Sequence, residues 1–185
     1  MHIIKVKHTV KIVLSQKSTD LEGVISALRE AEENRAKIIA GASSVEKTLT
    51  EIISHFFSPN DEDARKNLKE LIIDSDWCSF GNKRKVVEKI ISKKSLLDEK
   101  KLSEYRKLLA DTMEYRNAFA HGQFIVSQQG ISLAYYKDGA RSPVLSDDYL
   151  KKIEVTLNET NKISMHLALA LGLKDIISYE SEETR

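Results

Sequence analysis

Glu114-Tyr115-Arg116-Asn117-Ala118-Phe119-Ala120-His121-Gly122 closes a long amphipathic helical pattern and gathers the rarest chemical groups of the chain in one place. Arg116 brings a permanent cation whose planar fork of donors suits a phosphate. His121 brings the one type of side chain whose ordinary pKa lies between about 5 and 8, suited to moving protons near neutrality. Asn117 offers a donor and an acceptor between them. A helix turns about 100° per residue, so Asn117 and His121 share a face, with Glu114 near the same line. Arg116 starts about 140° from His121. For both to meet one substrate, Arg116 must reach round the helix, the helix must end early, or a second copy must supply the missing half.

Upstream of this stretch, Leu102, Tyr105, Leu109, Thr112, Met113, Arg116 and Ala120 fall near an i, i+3, i+4 pattern, with Ser95 or Asp98 opening the helix. That pattern places Arg116 close to a buried or partner-facing side, where a cation is costly unless paired. Gly122 is expected as the left-handed stop. The preceding helix carries Lys83, Arg84, Lys85, Lys89, Lys93 and Lys94 around Val86, Val87, Ile90 and Ile91. Its exposed side would be the most basic surface of the chain. Lys83, Arg84, Lys85 and Lys89 are therefore the candidate contacts to an RNA backbone; ordinary stabilisation of a helix C-terminus is the competing role for such cations.

Further back, Thr19-Asp20-Leu21-Glu22 reads as a capping box. It opens a helix with Leu21, Ile25, Leu28, Ile38, Ile39, Val45, Leu49, Ile52, Ile53 and Phe56 at helical spacing, stopped by Ser58-Pro59. A joint is expected near Gly41, and the polar run from Arg29 to Lys37 reads as a solvated turn or two. A shorter helix over 61–74 should face Leu68, Leu71 and Ile72 inward. Residues 74–82 form a turn-rich break holding the single cysteine, Cys78, expected as a small buried residue. At the N-terminus, Ile4, Val6, Val10, Ile12 and Leu14 alternate with polar residues as a strand with one buried face, and His8 falls on the buried register.

Beyond the central stretch, Phe124, Val126, Ile131, Leu133 and Tyr135 alternate around Gln128-Gln129-Gly130, a hairpin with which the N-terminal strand could pair. Ser146-Asp147 caps a last helix through Leu150, Ile153, Leu157, Ile163, Leu167 and Leu171, closed by Gly172, with His166 expected in core or interface. The architecture so read is mainly α: an up-and-down bundle of five helices with a small antiparallel sheet. Its parts are an N-terminal strand over 1–17, a helical domain over 18–174 with a hairpin near 123–137, and a polar tail over 175–185.

The 185 residues suffice for one domain with a genuine core. A net charge of +1 gives no global attraction to nucleic acid, so a polyanion site has to come from local clustering. One cysteine excludes an intramolecular disulfide and fits a reducing cytoplasm. No apolar run approaches the roughly 20 residues that span a bilayer, so no membrane partner is expected.

Arg116, the polar Asn117 directly after it, and His121 resemble the motif of the HEPN superfamily, helical domains of ribonucleases, toxins and antiviral defence proteins. Gly122 is also similar to several of its branches. The resemblance implies a metal-independent endoribonuclease without a cofactor, in which the 2′-OH of the RNA attacks the adjacent phosphorus. His121 would be the acid/base, Arg116 the phosphate clamp, and Asn117 the residue orienting one of them. It implies a homodimer in which two motifs build one cleft, and in toxin systems an antitoxin partner. The strands depart from the minimal bundle. They leave open a non-catalytic role, as a regulatory or protein-binding module similar to a mannitol repressor.

Overall fold

The computed structural model describes residues 10–12 (backbone only), 21–75, 78–127 and 129–173. The expectations for His8, for Thr19 as a cap and for the tail over 175–185 lie outside them. The described chain is mainly helical: α1 (Leu21–Phe57), α2 (Glu62–Leu68), α3 (Phe80–Lys94), α4 (Glu99–His121) and α5 (Asp147–Ala170), with strands β1 (Val10–Ile12), β2 (Gln123–Ser127), β3 (Gly130–Tyr136) and β4 (Ala140–Arg141). A helical bundle with a small sheet is thus the fold. α1 passes through Gly41 without a break, because its flanking residues hold the helical pattern on both sides. Contacts divide the chain into two compact units, Met1–Gly41 with Glu114–Val155, and Ala42–Met113 with Thr156–Arg185.

In the first unit the strand order is β1-β2-β3-β4. β2, β3 and β4 pair antiparallel, with Phe124 opposite Leu133 and Tyr135 opposite Arg141. β1 instead joins β2 in parallel, Val10 opposite Phe124, so the N-terminal strand departs from the antiparallel pairing expected of it. Alternation along the chain selects the buried face of a strand, not its direction, and both pairings satisfy it. Asp138 and Gly139, both at positive φ, make the tight turn from β3 to β4. The buried residues of the unit are Ala31 and Ile38 of α1, Tyr115, Ala118 and Phe119 of α4, Phe124, Val126 and Leu133 of the sheet, and Ile153 of α5.

In the second unit one apolar cluster runs from Val45, Leu49 and Ile52 through Val87, Ile90 and Ile91 to Leu102, Leu109 and Leu167. A seam of hydroxyls crosses it. Tyr105 Oη lies 2.7 Å from Ser164 Oγ, and Thr112 Oγ1 lies 3.0 Å from Thr160 Oγ1. Thr160 and Ser164 also donate to carbonyls one turn back, so these buried hydroxyls are satisfied. Asp61 caps α2, Ser79 caps α3, and Asp98, not Ser95, opens α4 by accepting from the Lys101 amide. Ser95 ends α3 in the left-handed conformation, and Gly172, at φ +93°, closes α5.

Three expectations change in this unit. After Leu68 the helix widens into a π-turn over Lys69–Ile73. A wider turn delays the return to the inner face by one residue, so Ile73 is buried while Leu71 and Ile72 are exposed. His166 is exposed on α5 and so is not in the core, because Ser164, Leu167 and Ala168 take the inward positions around it. Lys83 is buried rather than part of a basic face: its Nζ lies 3.2 Å from Glu46 and 3.6 Å from Asp74. Cys78 is buried as expected, and burial pushes its thiol pKa up, against the opposing pull of Lys83.

Burial also raises the hydroxyl pKa of Tyr105, and of Tyr135 and Tyr149 in the first unit. The fold favours their neutral forms. The stability this contributes is complete below the ordinary tyrosine value of about 10 and is lost as pH rises towards the raised folded values. In an alkaline titration followed by tyrosinate absorbance, these three hydroxyls should therefore ionise late, in step with unfolding. A single early transition accounting for all six tyrosines would contradict this packing.

Candidate functional site

The last turns of α4 place the expected triad. The buried stripe of α4 in the first unit runs through Tyr115, Ala118 and Phe119, not through Arg116 and Ala120. Phe119 and Tyr115 bring far more apolar area than Ala120, and they set the rotation of the helix end. Asn117, Ala120 and His121 are consequently exposed, and Arg116 is half-buried. By helical geometry Arg116 and His121 stand at the two edges of this open face, about 140° and roughly 7.5 Å of rise apart, with Asn117 and Ala120 between. Arg116 Nη1 donates to Asn117 Oδ1 at 3.1 Å, so the asparagine draws the guanidinium towards the middle of the face.

Arg116 forms no ion pair with any of the described residues. The carboxylate nearest in sequence, Glu114, is engaged elsewhere: Tyr135 donates to its Oε1 at 3.3 Å, and Lys137 pairs with its Oε2. The hydrogen bond to Glu114 is also the main reason that the Lys137 pKa is raised. Tyr135 near the end of β3 and Lys137 in the bend just after it both reach this carboxylate. These two contacts occupy the carboxylate nearest to Arg116 in sequence.

The helix end is held from behind. Gly122 does not adopt positive φ and is not a left-handed stop. It is glycine because neighbouring backbone comes too close for a side chain. A Cβ there would lie 2.3 Å from Ala118 O, 2.8 Å from Leu133 Cδ1 and 3.1 Å from Ala134 O. The Gly122 amide continues the helix by donating to Ala118 O at 2.7 Å, and its carbonyl accepts from Arg35 Nη2 at 3.1 Å.

Arg35 belongs to the polar run expected to be solvated. It is not: its side chain is only 18% exposed, its guanidinium carbon lies 4.2 Å from the centre of the Phe124 ring, and Glu32 is 3.4 Å away. Nothing in the sequence marked Arg35 out, since its partners lie almost ninety residues later among apolar and glycine positions. Its Nε is buried without a partner, at a cost of about 1–3 kcal/mol. A desolvated cation over an aromatic face contributes roughly 2 kcal/mol and a charged hydrogen bond about 1.5–3 kcal/mol, which together outweigh that cost.

The four candidate RNA contacts of α3 separate. Lys85 and Lys89 are exposed and Lys83 is buried. Arg84 is drawn to Glu88 on its own helix, 3.5 Å away, and Glu88 is shared with Arg106 at 3.3 Å. Among the described residues no group of three or more His, Cys, Asp or Glu is placed to hold a metal ion, and no helix is long and apolar enough to cross a membrane. Compared with protein-family models, curated proteins and solved structures, the chain matches none.

Proposed function

We propose that the protein is a HEPN-like endoribonuclease that cleaves RNA without a metal ion, at a site completed by a second copy of the chain. The observation that carries this reading is the open face of α4: Arg116 paired with no carboxylate among the described residues, steered by Asn117, and His121 exposed on the same helix end. A guanidinium without an internal anion is available to a phosphate. An imidazole on a helix held by its neighbours is available for proton transfer.

In the reaction the 2′-oxygen of RNA bonds to the adjacent phosphorus and the bond from phosphorus to the 5′-oxygen breaks. The 2′-proton passes to a base, the departing 5′-oxygen receives a proton, and the products carry a 2′,3′-cyclic phosphate and a 5′-hydroxyl. His121 serves in this proton transfer, and Arg116 stabilises charge on the phosphoryl oxygens. Because the two groups stand at opposite edges of one face, a second α4 laid against that face brings the His121 of one protomer towards the Arg116 of the other. Ala120, at its centre, leaves room for that approach. Lys85 and Lys89 are the remaining candidates on α3 for contacts to an RNA backbone.

The test is complementation. Arg116→Ala and His121→Ala proteins should each be inactive, and mixing them after exchange of subunits should restore about a quarter of the parental cleavage. Half the dimers are then mixed, and one of two symmetric pairings in each is intact. No recovery in a mixture shown to exchange subunits would contradict a shared site.

A further inference from the structure

We infer that Arg35 is a positioning residue for His121, a role that rests on the ribonuclease reading of the α4 end. His121 has an exposed side chain, so its placement depends on the backbone that carries it. The next residue, Gly122, is where α4 gives way to β2, and it lies against the backbone of β3. Arg35 of α1 holds this junction through the Gly122 carbonyl. One nitrogen donates to the Gly122 carbonyl while the guanidinium carbon lies 4.2 Å from the centre of the Phe124 ring, two residues further on. A guanidinium spreads its charge and five N–H donors over a wide fork and can make both contacts together, which a compact ammonium does less well. The arrangement is kept although Nε has no partner, so the contact to the junction outweighs satisfying that nitrogen. Arg35 thereby limits the travel of the last turn of α4, and with it the position of the imidazole.

Two variants test this. Arg35→Met fills the space without a cation or a donor, and Phe124→Leu removes the ring face while keeping the site apolar. Each should lower kcat for RNA cleavage by about 10- to 100-fold, the range that a displacement near 1 Å produces, with KM within about twofold of the parent. Arg35→Lys, which keeps a cation and a donor without the wide fork, should fall between. Independently of activity, the imidazole signals of His121 in an NMR spectrum should move or broaden in both variants while those of His55 and His166 stay in place. If the parent cleaves RNA and the folded variants retain kcat within twofold with unchanged His121 signals, the inference is overturned. Loss of thermal stability and of kcat in proportion, with all three histidines disturbed alike, would also overturn it, by making Arg35 a purely structural residue. A parent that leaves RNA intact, with His121 signals that still respond to Arg35→Met, would defeat the ribonuclease reading and leave the clamp standing.

Discussion

His121→Ala is expected to reduce RNA cleavage by about 10²- to 10⁴-fold, the usual contribution of a positioned acid/base, while leaving the fold intact. The imidazole is exposed at the end of α4, and truncation there opens no cavity. Surface changes of that kind stay within about 0.5 kcal/mol. Thermal unfolding of the variant should therefore coincide with the parent, and RNA binding should persist, because the charge of Arg116 remains. A variant that loses activity only because it has lost structure would show a lowered melting temperature, and the comparison separates the two.

Gly122→Ala should have the largest effect on stability. The added methyl meets Ala118 O and Ala134 O, both backbone, as well as Leu133, itself fully buried. Relief requires both a changed backbone at the end of α4, to clear its own Ala118 carbonyl, and movement away from β3, which also disturbs the carbonyl that Arg35 holds. Overpacking of this kind costs about 1–3 kcal/mol or more, and each kcal/mol lowers the melting temperature of a chain this size by roughly 2–4 °C. A fall of about 5–10 °C, with cleavage reduced at temperatures where the variant is still folded, is the expected outcome in a melting and activity series. A Gly122→Ala protein as stable as the parent would show that α4 and β3 are not packed as described.

The sequence made the helices legible because their apolar stripes are long. The Leu21 to Phe57 run, the Glu99 to His121 run and the last helix each carry enough 3.6-residue repeats to fix type and approximate bounds. What it left hidden has particular causes. A π-turn adds one residue to a turn without any mark in composition, so Leu71 and Ile72 looked inward and are exposed. The inner face of α4 depended on whether Tyr115 and Phe119 or Arg116 and Ala120 won the packing, and the stripe upstream was compatible with both. Gly122 read as a left-handed stop because glycine after a helix usually is one, whereas its use here depends on β3, a dozen residues away. Lys83 and Arg35 were charges among charges. Their burial is decided by partners distant in sequence, Glu46 and Asp74 for one and Phe124 and Gly122 for the other. Of the triad itself, the helix end and the shared outer face follow from spacing. That Glu114 is occupied does not, because its contacts come from Tyr135 and Lys137, beyond the helix.

The most direct measurement is of the ends of RNA fragments produced by the purified protein with a chelator present. Fragments ending in 2′,3′-cyclic phosphate and 5′-hydroxyl, formed by the parent and not by His121→Ala, are the predicted result. RNA left intact by a folded, dimeric parent, or cut equally by His121→Ala, would contradict the account.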